Sequence, residues 1–169
     1  MRWSQGRFHS LNHALREHFG QKVVKLSLDG GFTCPNRDGT LGTRGCLFCS
    51  DFGAGEFAGT RGESLHDQLR DQIALLTPKW PEASYIAYFQ NFTGTYAPLE
   101  VLRERYEEAL SFPGVVGLAV ATRPDALSDE AITLLGRLAR EYFVWVELGL
   151  QSIHEASARF VGRGYTLDV

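Results

Sequence analysis

Cys34, Cys46 and Cys49 lie within sixteen residues of one another, and the 169-residue chain has no other cysteine. The segment runs Cys34-Pro35-Asn36-Arg37-Asp38-Gly39-Thr40-Leu41-Gly42-Thr43-Arg44-Gly45-Cys46-Leu47-Phe48-Cys49, a C-x11-C-x2-C spacing. An odd count in one tight group does not build a disulfide framework. It suits a reducing compartment and a metal-binding or catalytic role. Thiolates are soft ligands for zinc or for iron–sulfur clusters. Three of them on one loop can hold three irons of a four-iron cube and leave the fourth iron to a ligand that is not protein. A structural zinc site needs a fourth protein ligand. The chain has five histidines, none at finger-like spacing: His18 precedes the first strand and His66 lies within the next helical pattern. Spacing alone leaves three readings open: an open cluster, a zinc site and unligated buried thiols.

The elements that must position these residues read as one helix followed by repeating βα units. Val23 to Leu28, Tyr85 to Gln90, Val115 to Thr122 and Phe143 to Leu150 are β-branched or aromatic runs bounded by turn residues. The near-continuous apolar character of the later runs predicts parallel strands covered on both faces. The last three start about 30 residues apart, the length of a βα unit. A helix over Leu11 to Phe19 should stop at Gly20. Ser64 reads as an N-cap with Asp67 at N3, Pro98 suits the first turn of the next helix, and Ser128 caps another. Leu127 and Ile132 there stand at the two positions of a hydrophobic staple. The fourth βα unit has an incomplete helix. A doubly wound sheet and part of a βα barrel both fit, since strand order is not legible in periodicity.

Hydrophobic residues make up 44% and charged residues 22% of the chain, a globular composition. The net charge of −3 argues against a basic-patch nucleic-acid binder. Lys22, Lys25, Arg37, Arg44 and Arg61 remain candidates for a local basic rim. No apolar run has the roughly 20 residues of a membrane helix. Met1 to Gly6 has no apolar signal core, so a cytoplasmic protein with no membrane partner is expected.

Four motifs in order carry a family resemblance over nearly the whole chain. They are Leu28-Asp29-Gly30-Gly31-Phe32-Thr33-Cys34-Pro35-Asn36-Arg37-Asp38-Gly39-Thr40 with Gly45-Cys46-Leu47-Phe48-Cys49; Thr122-Arg123-Pro124-Asp125; Glu147-Leu148-Gly149-Leu150-Gln151-Ser152; and Arg163-Gly164-Tyr165-Thr166. The sequence resembles radical S-adenosylmethionine (SAM) enzymes of the branch similar to the catalytic subunit of Elongator, and within it an uncharacterised bacterial group. The first cysteine gap is longer than the commonest radical SAM spacing, C-x3-C-x2-C, and agrees with this branch. Tyr165 stands where the branch has histidine.

The resemblance implies an α/β fold: about four of the six βα units of a partial TIM barrel, behind an N-terminal helix. Residues 1–169 would be a radical SAM core domain that stops before strands five and six, leaving an unpaired edge on the fourth strand. On this resemblance Elongator's acetyltransferase domain would have no counterpart in residues 1–169. The resemblance implies that Cys34, Cys46 and Cys49 ligate one 4Fe–4S cluster. SAM would chelate the open iron, and an electron from an external donor would cleave it to a 5′-deoxyadenosyl radical that abstracts hydrogen. Phe48 would lie near the adenine, Thr93 and Gly94 in the turn near SAM's amino group, and Gln151 within hydrogen-bond reach of SAM. Arg163 would face its carboxylate. A tRNA base is the substrate suggested by analogy with Elongator. No residue is assigned as catalytic. The rival class is a non-enzymatic, zinc-stabilised RNA-binding module.

Some residues keep two readings. Glu147, flanked by apolar residues on a strand, needs a partner if buried: a ligand, or an ion pair with Arg123. Asp125 and Ser128 suit turn and cap roles. Gly53, Gly55 and Gly59 suit a chain that wraps closely around a site.

Overall fold

The computed structural model describes residues 8–169; the N-terminal residues read above for a signal core lie outside them. Helix α1 (Leu11–Phe19) is opened by the Ser10 hydroxyl, which accepts from the His13 N–H. It is closed by Gly20 at φ 72°, whose N–H donates to the Arg16 carbonyl. This left-handed cap needs glycine and explains the stop. Helix α2 (Leu65–Leu76) begins after Ser64, whose hydroxyl accepts from the Asp67 N–H as expected. Helix α3 (Leu99–Leu110) starts one residue after Pro98, which sits at the cap position and not in the first turn. Helix α4 (Asp129–Leu138) is capped by Ser128. Of the expected staple pair, Leu127 packs on the core while Ile132 is half exposed. Helix α5 (Glu155–Phe160) is short, in keeping with a degenerate fourth unit.

Strands β1 (Val23–Leu28), β2 (Ser84–Phe89), β3 (Val115–Thr122) and β4 (Phe143–Leu148) form one sheet in the order β1-β2-β3-β4. All three pairings are parallel. β4 ends two residues before the expected Leu150, because Gln151 at φ 66° turns the chain away. Each crossover adds its strand on the same side of the last. Right-handed crossovers repeated in one direction place their helices on one face. Accordingly α2 packs on β1, α3 on β3, α2 on α3 and α3 on α4. No strand-order reversal of the doubly wound kind occurs among the described residues.

The main core lies between these helices and the sheet, around Leu26, Leu28, Phe89, Leu118 and Val120 with Leu69, Leu102, Tyr106 and Leu135. The expectation of strands covered on both faces is corrected. The other face is covered at one end only, where Leu15 of α1 packs on Val23, Ile86 and Ala119. Further along it, Lys25, Ser27, Tyr88 and Glu147 are partly exposed. The apolar run of β1 is thus interrupted at alternate positions by Lys25 and Ser27, as a one-sided strand requires, whereas β4 carries Glu147 alone. The outer edge of β4 pairs with no strand among the described residues, and Trp145, Val146 and Leu148 are exposed beside it.

Candidate functional site

The chain leaves β1 at Leu28 and turns at once into a tightly packed corner. Asp29, almost fully buried, accepts from the Gly31 N–H (2.8 Å) and from the Asn91 amide (3.0 Å). The Gln68 side chain on α2 accepts from the Asp29 N–H at 2.9 Å and donates to its carbonyl at 3.1 Å. Beyond Phe32, the Thr33 carbonyl accepts from the Thr93 N–H at 3.1 Å. The segment before Cys34 is therefore tied to the turn after β2. A Cβ on Gly55 would fall on the Asn91 side-chain amide, so this glycine lets the loop close over the corner.

The cysteine loop is held from two further sides. Arg37 donates to the Cys49 carbonyl at 3.4 Å and to the Ser50 carbonyl. The Asn36 amide donates to the Cys46 sulfur at 3.1 Å and to the Gly162 and Arg163 carbonyls at 2.8 and 3.1 Å. Asn36 thus joins the cysteine loop to the turn after α5.

The result is one cavity of about 320 Å³ beyond the carboxyl ends of the strands, lined by Cys34, Cys46 and Cys49 together. Its wall also includes Phe48, Thr93, Gln151 and Arg163. All three cysteines are free thiols. Ligands of parallel sheets bind at these strand ends, where loops converge and no ladder consumes their polar groups. No histidine lines the cavity. His66 on α2 instead bonds to the Glu108 carbonyl and Ser111, and His18 packs against Phe19 and Phe143.

The neighbouring Cys49 side chain outweighs burial and, with the Asn36 amide and the charges of Arg123 and Arg37, lowers the Cys46 pKa to about 6. The Cys46 side chain, with burial, pushes Cys49 upward. The Cys46 sulfur also lies 3.4 Å from the Gly162 carbonyl.

The remaining predicted site residues divide. Thr93 is buried and its hydroxyl oxygen has no hydrogen-bond partner, an orphan on the cavity wall. Gly94 is not among the lining residues. Its N–H donates to the Ala121 carbonyl at 2.8 Å, and a Cβ there would meet Val120 and that carbonyl. Its role is close approach to β3. Phe48 is half exposed at the cavity. Arg163 is almost fully buried. Its guanidinium donates to the carbonyls of Tyr165, Ser152 and Leu150 at 2.8, 2.9 and 3.3 Å and to Glu155 at 2.9 Å. Most of its five N–H groups are spent on fixing the loop after β4.

Two expectations are overturned. Glu147 pairs with Lys25, not with Arg123, and accepts from the Tyr88 hydroxyl at 2.6 Å. Arg123 forks onto Asp125. The five basic residues do not form one rim: Arg37 lines the cavity and Arg44 is exposed on the cysteine loop, but the other three are engaged elsewhere. Lys22 lies at the opposite end of β1, near Trp80 and Asn12. Lys25 reaches over the Tyr88 ring to Glu147, and Arg61 is tied to the Gly31 and Phe32 carbonyls.

Sequence reasoning missed one residue, Phe92. Phe92 (φ 59°) and Gln151 (φ 66°) are the only non-glycine residues with positive φ among those described, and both line the cavity. Each such conformation costs on the order of 1–3 kcal/mol, and strain of this kind gathers at functional sites. Gln151 was found through its motif. Nothing in the sequence marks Phe92, because an aromatic residue gives no sign of a left-handed backbone.

Burial would raise the Glu147 pKa, but hydrogen bonds from Lys25 and Tyr88 outweigh it and hold the carboxyl below its ordinary 4.5. A depressed carboxylate contributes stability above its unfolded pKa and loses it as pH falls through the folded one. Glu147→Gln is therefore expected to unfold at lower urea than the parent protein at pH 7. The two midpoints should converge as pH falls below about 4.5, its ordinary value. A gap that stays constant down to pH 3 would contradict this.

No family model matches the chain. It is 51% identical over 165 residues to the uncharacterised protein YtqA of Bacillus subtilis, a match covering 98% of this chain and 51% of that protein. Protein YhcC of Escherichia coli is 43% identical over 152 residues, covering 89% of this chain and 48% of YhcC. An uncharacterised protein of Methanocaldococcus jannaschii is 32% identical over 158 residues, 91% of this chain and 47% of its own length. The chain thus spans about half the length of the curated relatives it matches.

Among the described residues, no three His, Cys, Asp or Glu side chains converge as they would around a single metal ion. In a four-iron cube each cysteine binds a different iron, so the sulfurs stand farther apart than around one ion. No helix among the described residues is long and apolar enough to cross a membrane.

Proposed function

We propose that this chain binds one 4Fe–4S cluster through Cys34, Cys46 and Cys49, binds SAM beside it, and belongs to an enzyme of the radical SAM kind. One observation carries the reading. Cysteines separated by eleven and two residues line a single cavity at the carboxyl ends of parallel strands, with no histidine or fourth cysteine to close the set. The residues present fit such a group: three soft donors, and an orphaned buried hydroxyl on the same wall. When bound, the cluster supplies the single electron that cleaves SAM and so starts hydrogen abstraction.

The protein's own residues bind and orient. Thr93 offers its unpartnered hydroxyl to a polar group of SAM. Phe48 offers an aromatic face, and Gln151 an amide on a strained turn beside the cavity. Arg163 fixes the β4–α5 loop that carries Gln151, so its part is support more than direct contact. In the proposed partial barrel the sheet continues past β4 in the direction in which β1 to β4 already run. A tRNA base remains the proposed substrate, and the electron comes from an external donor.

The test uses protein purified and reconstituted without oxygen. Iron and sulfide should each reach about four per chain, with a visible absorption band that bleaches on reduction. SAM should then bind by equilibrium dialysis. Thr93→Val, which keeps shape and removes the hydroxyl, is expected to weaken binding about 3- to 10-fold, the worth of one hydrogen bond. Stoichiometric zinc without sulfide would overturn the proposal.

A further inference from the structure

The Thr122-Arg123-Pro124-Asp125 stretch has no part in the function proposed so far, yet its arginine is held with unusual completeness. Arg123 is only 9% exposed. A buried guanidinium persists where its charge is matched and its N–H groups are used. Pro124 opens a short 3-10 turn over Pro124–Ala126. That turn brings Asp125 back to accept from Arg123 Nε at 2.8 Å and from Nη2 at 2.6 Å, a two-pronged fork. The Tyr165 ring lies 5.2 Å from the guanidinium carbon and 4.5 Å from that of Arg163, so it contacts both arginines. The remaining nitrogen, Nη1, donates to the Cys34 sulfur at 3.5 Å. Burial alone would lower the pKa of Arg123, but the bonds to Asp125 and Cys34 outweigh it and keep the group cationic. Cys34 is the cysteine that stands apart from the C-x2-C pair. Cys46 has its own donor in Asn36, at 3.1 Å, but that one is neutral.

We infer that Arg123, aimed by Asp125 and Tyr165, is a positioning residue that donates to the Cys34 sulfur and raises the reduction potential of the cluster held there. The inference rests on the cluster reading above. The reduced cluster carries one more negative charge than the oxidised one. A fixed cation and an N–H donor at one of its sulfurs therefore favour the reduced form. The step concerned is the transfer of one electron from an external low-potential donor. No bond is made or broken, no proton moves, and Arg123 stays cationic in both states. A purely structural arginine, needed only to close the β3–α4 turn on Asp125, would leave the potential alone.

The experiment compares the parent protein with Arg123→Gln and Arg123→Lys, each reconstituted without oxygen. The midpoint potential is read by dithionite titration with the reduced signal followed by electron paramagnetic resonance. Arg70→Gln, which removes an exposed charge on α2, is the control and should not move the potential. Arg123→Gln should shift it to more negative values with iron and sulfide content unchanged. Arg123→Lys, which keeps the charge but loses the fork, should shift it less in the same direction. An unmoved potential in Arg123→Gln with its iron intact overturns the inference and leaves the cluster reading standing. Loss of iron from both variants overturns it too, and assigns Arg123 to folding. No cluster in the parent protein overturns the cluster reading and this inference together.

Discussion

Replacing Cys34, Cys46 or Cys49 by alanine is expected to take reconstituted iron from about four per chain to near zero in each case. Three ligands leave no redundancy, and the cavity offers no histidine or fourth cysteine as a substitute. Cys34 is the informative position. The C-x2-C turn is locally organised by the Cys49 N–H donating to the Cys46 carbonyl at 3.0 Å, so it would survive the loss of Cys34. A protein that held the metal on Cys46 and Cys49 alone would keep part of its iron in Cys34→Ala, and the proposal would then be wrong. The measurement is iron and sulfide content after gel filtration, with circular dichroism to show that each variant is folded. All three cysteines are partly exposed, outside the main core, so folding should be little affected.

The second large effect concerns Phe89, the last residue of β2. Its side chain is fully buried, with ring centroids 5.6 Å from Phe32 and 5.4 Å from Tyr106. A Cβ on Gly30 would collide with both Phe32 and Phe89, so the backbone after β1 lies against this aromatic group. Phe89→Ala is expected to destabilise the protein by about 3–5 kcal/mol, since both lost transfer energy and an unfilled cavity contribute. The site should suffer as well. Phe32 leads into Cys34, and Phe89 leads into the turn that carries Phe92 and Thr93. Urea unfolding at pH 7 provides the measurement, with the midpoint falling and the slope unchanged. A loss under 1 kcal/mol would show that the aromatic group repacks and does not hold the two loops together.

The two predictions draw on different parts of what could be read in the chain. The cysteines, the βα periodicity, the caps at Ser64 and Ser128 and the stop at Gly20 are local features. Each depends on residues within a few positions, through side-chain bonds to nearby N–H groups, a left-handed glycine, or apolar spacing. All are present in the structure, within a residue or two at the strand ends. Phe48, Gln151 and Arg163 were placed beside the cysteines by motif order, and Thr93 and Gly94 by a looser likeness of the turn after β2; the cavity lining contains all of these but Gly94.

Only the tertiary structure could decide the rest. Strand order follows from the accumulated direction of three crossovers, which no window of sequence contains. Whether β1 and β4 are covered on one face or two depends on where α1 comes to lie. Partners of buried charges depend on registry across the sheet. Glu147 sits opposite Ala121 of β3; that small residue and Ala119 leave room for Lys25 and Tyr88 to reach it from β1 and β2. Arg123, expected to pair with Glu147, had already been claimed by Asp125 two residues on, through a turn set by Pro124. Phe92 gives the plainest case. Its composition and neighbours carry no sign of positive φ, and only a chain pinned on both sides, by the Asn91–Asp29 bond and the Thr93–Thr33 bond, imposes it. Local chemistry was legible in the sequence because the atoms concerned are neighbours along the chain. The partners of Glu147 and the strain at Phe92 were not, because they are set by residues from 59 to 122 positions apart that meet only when the sheet forms.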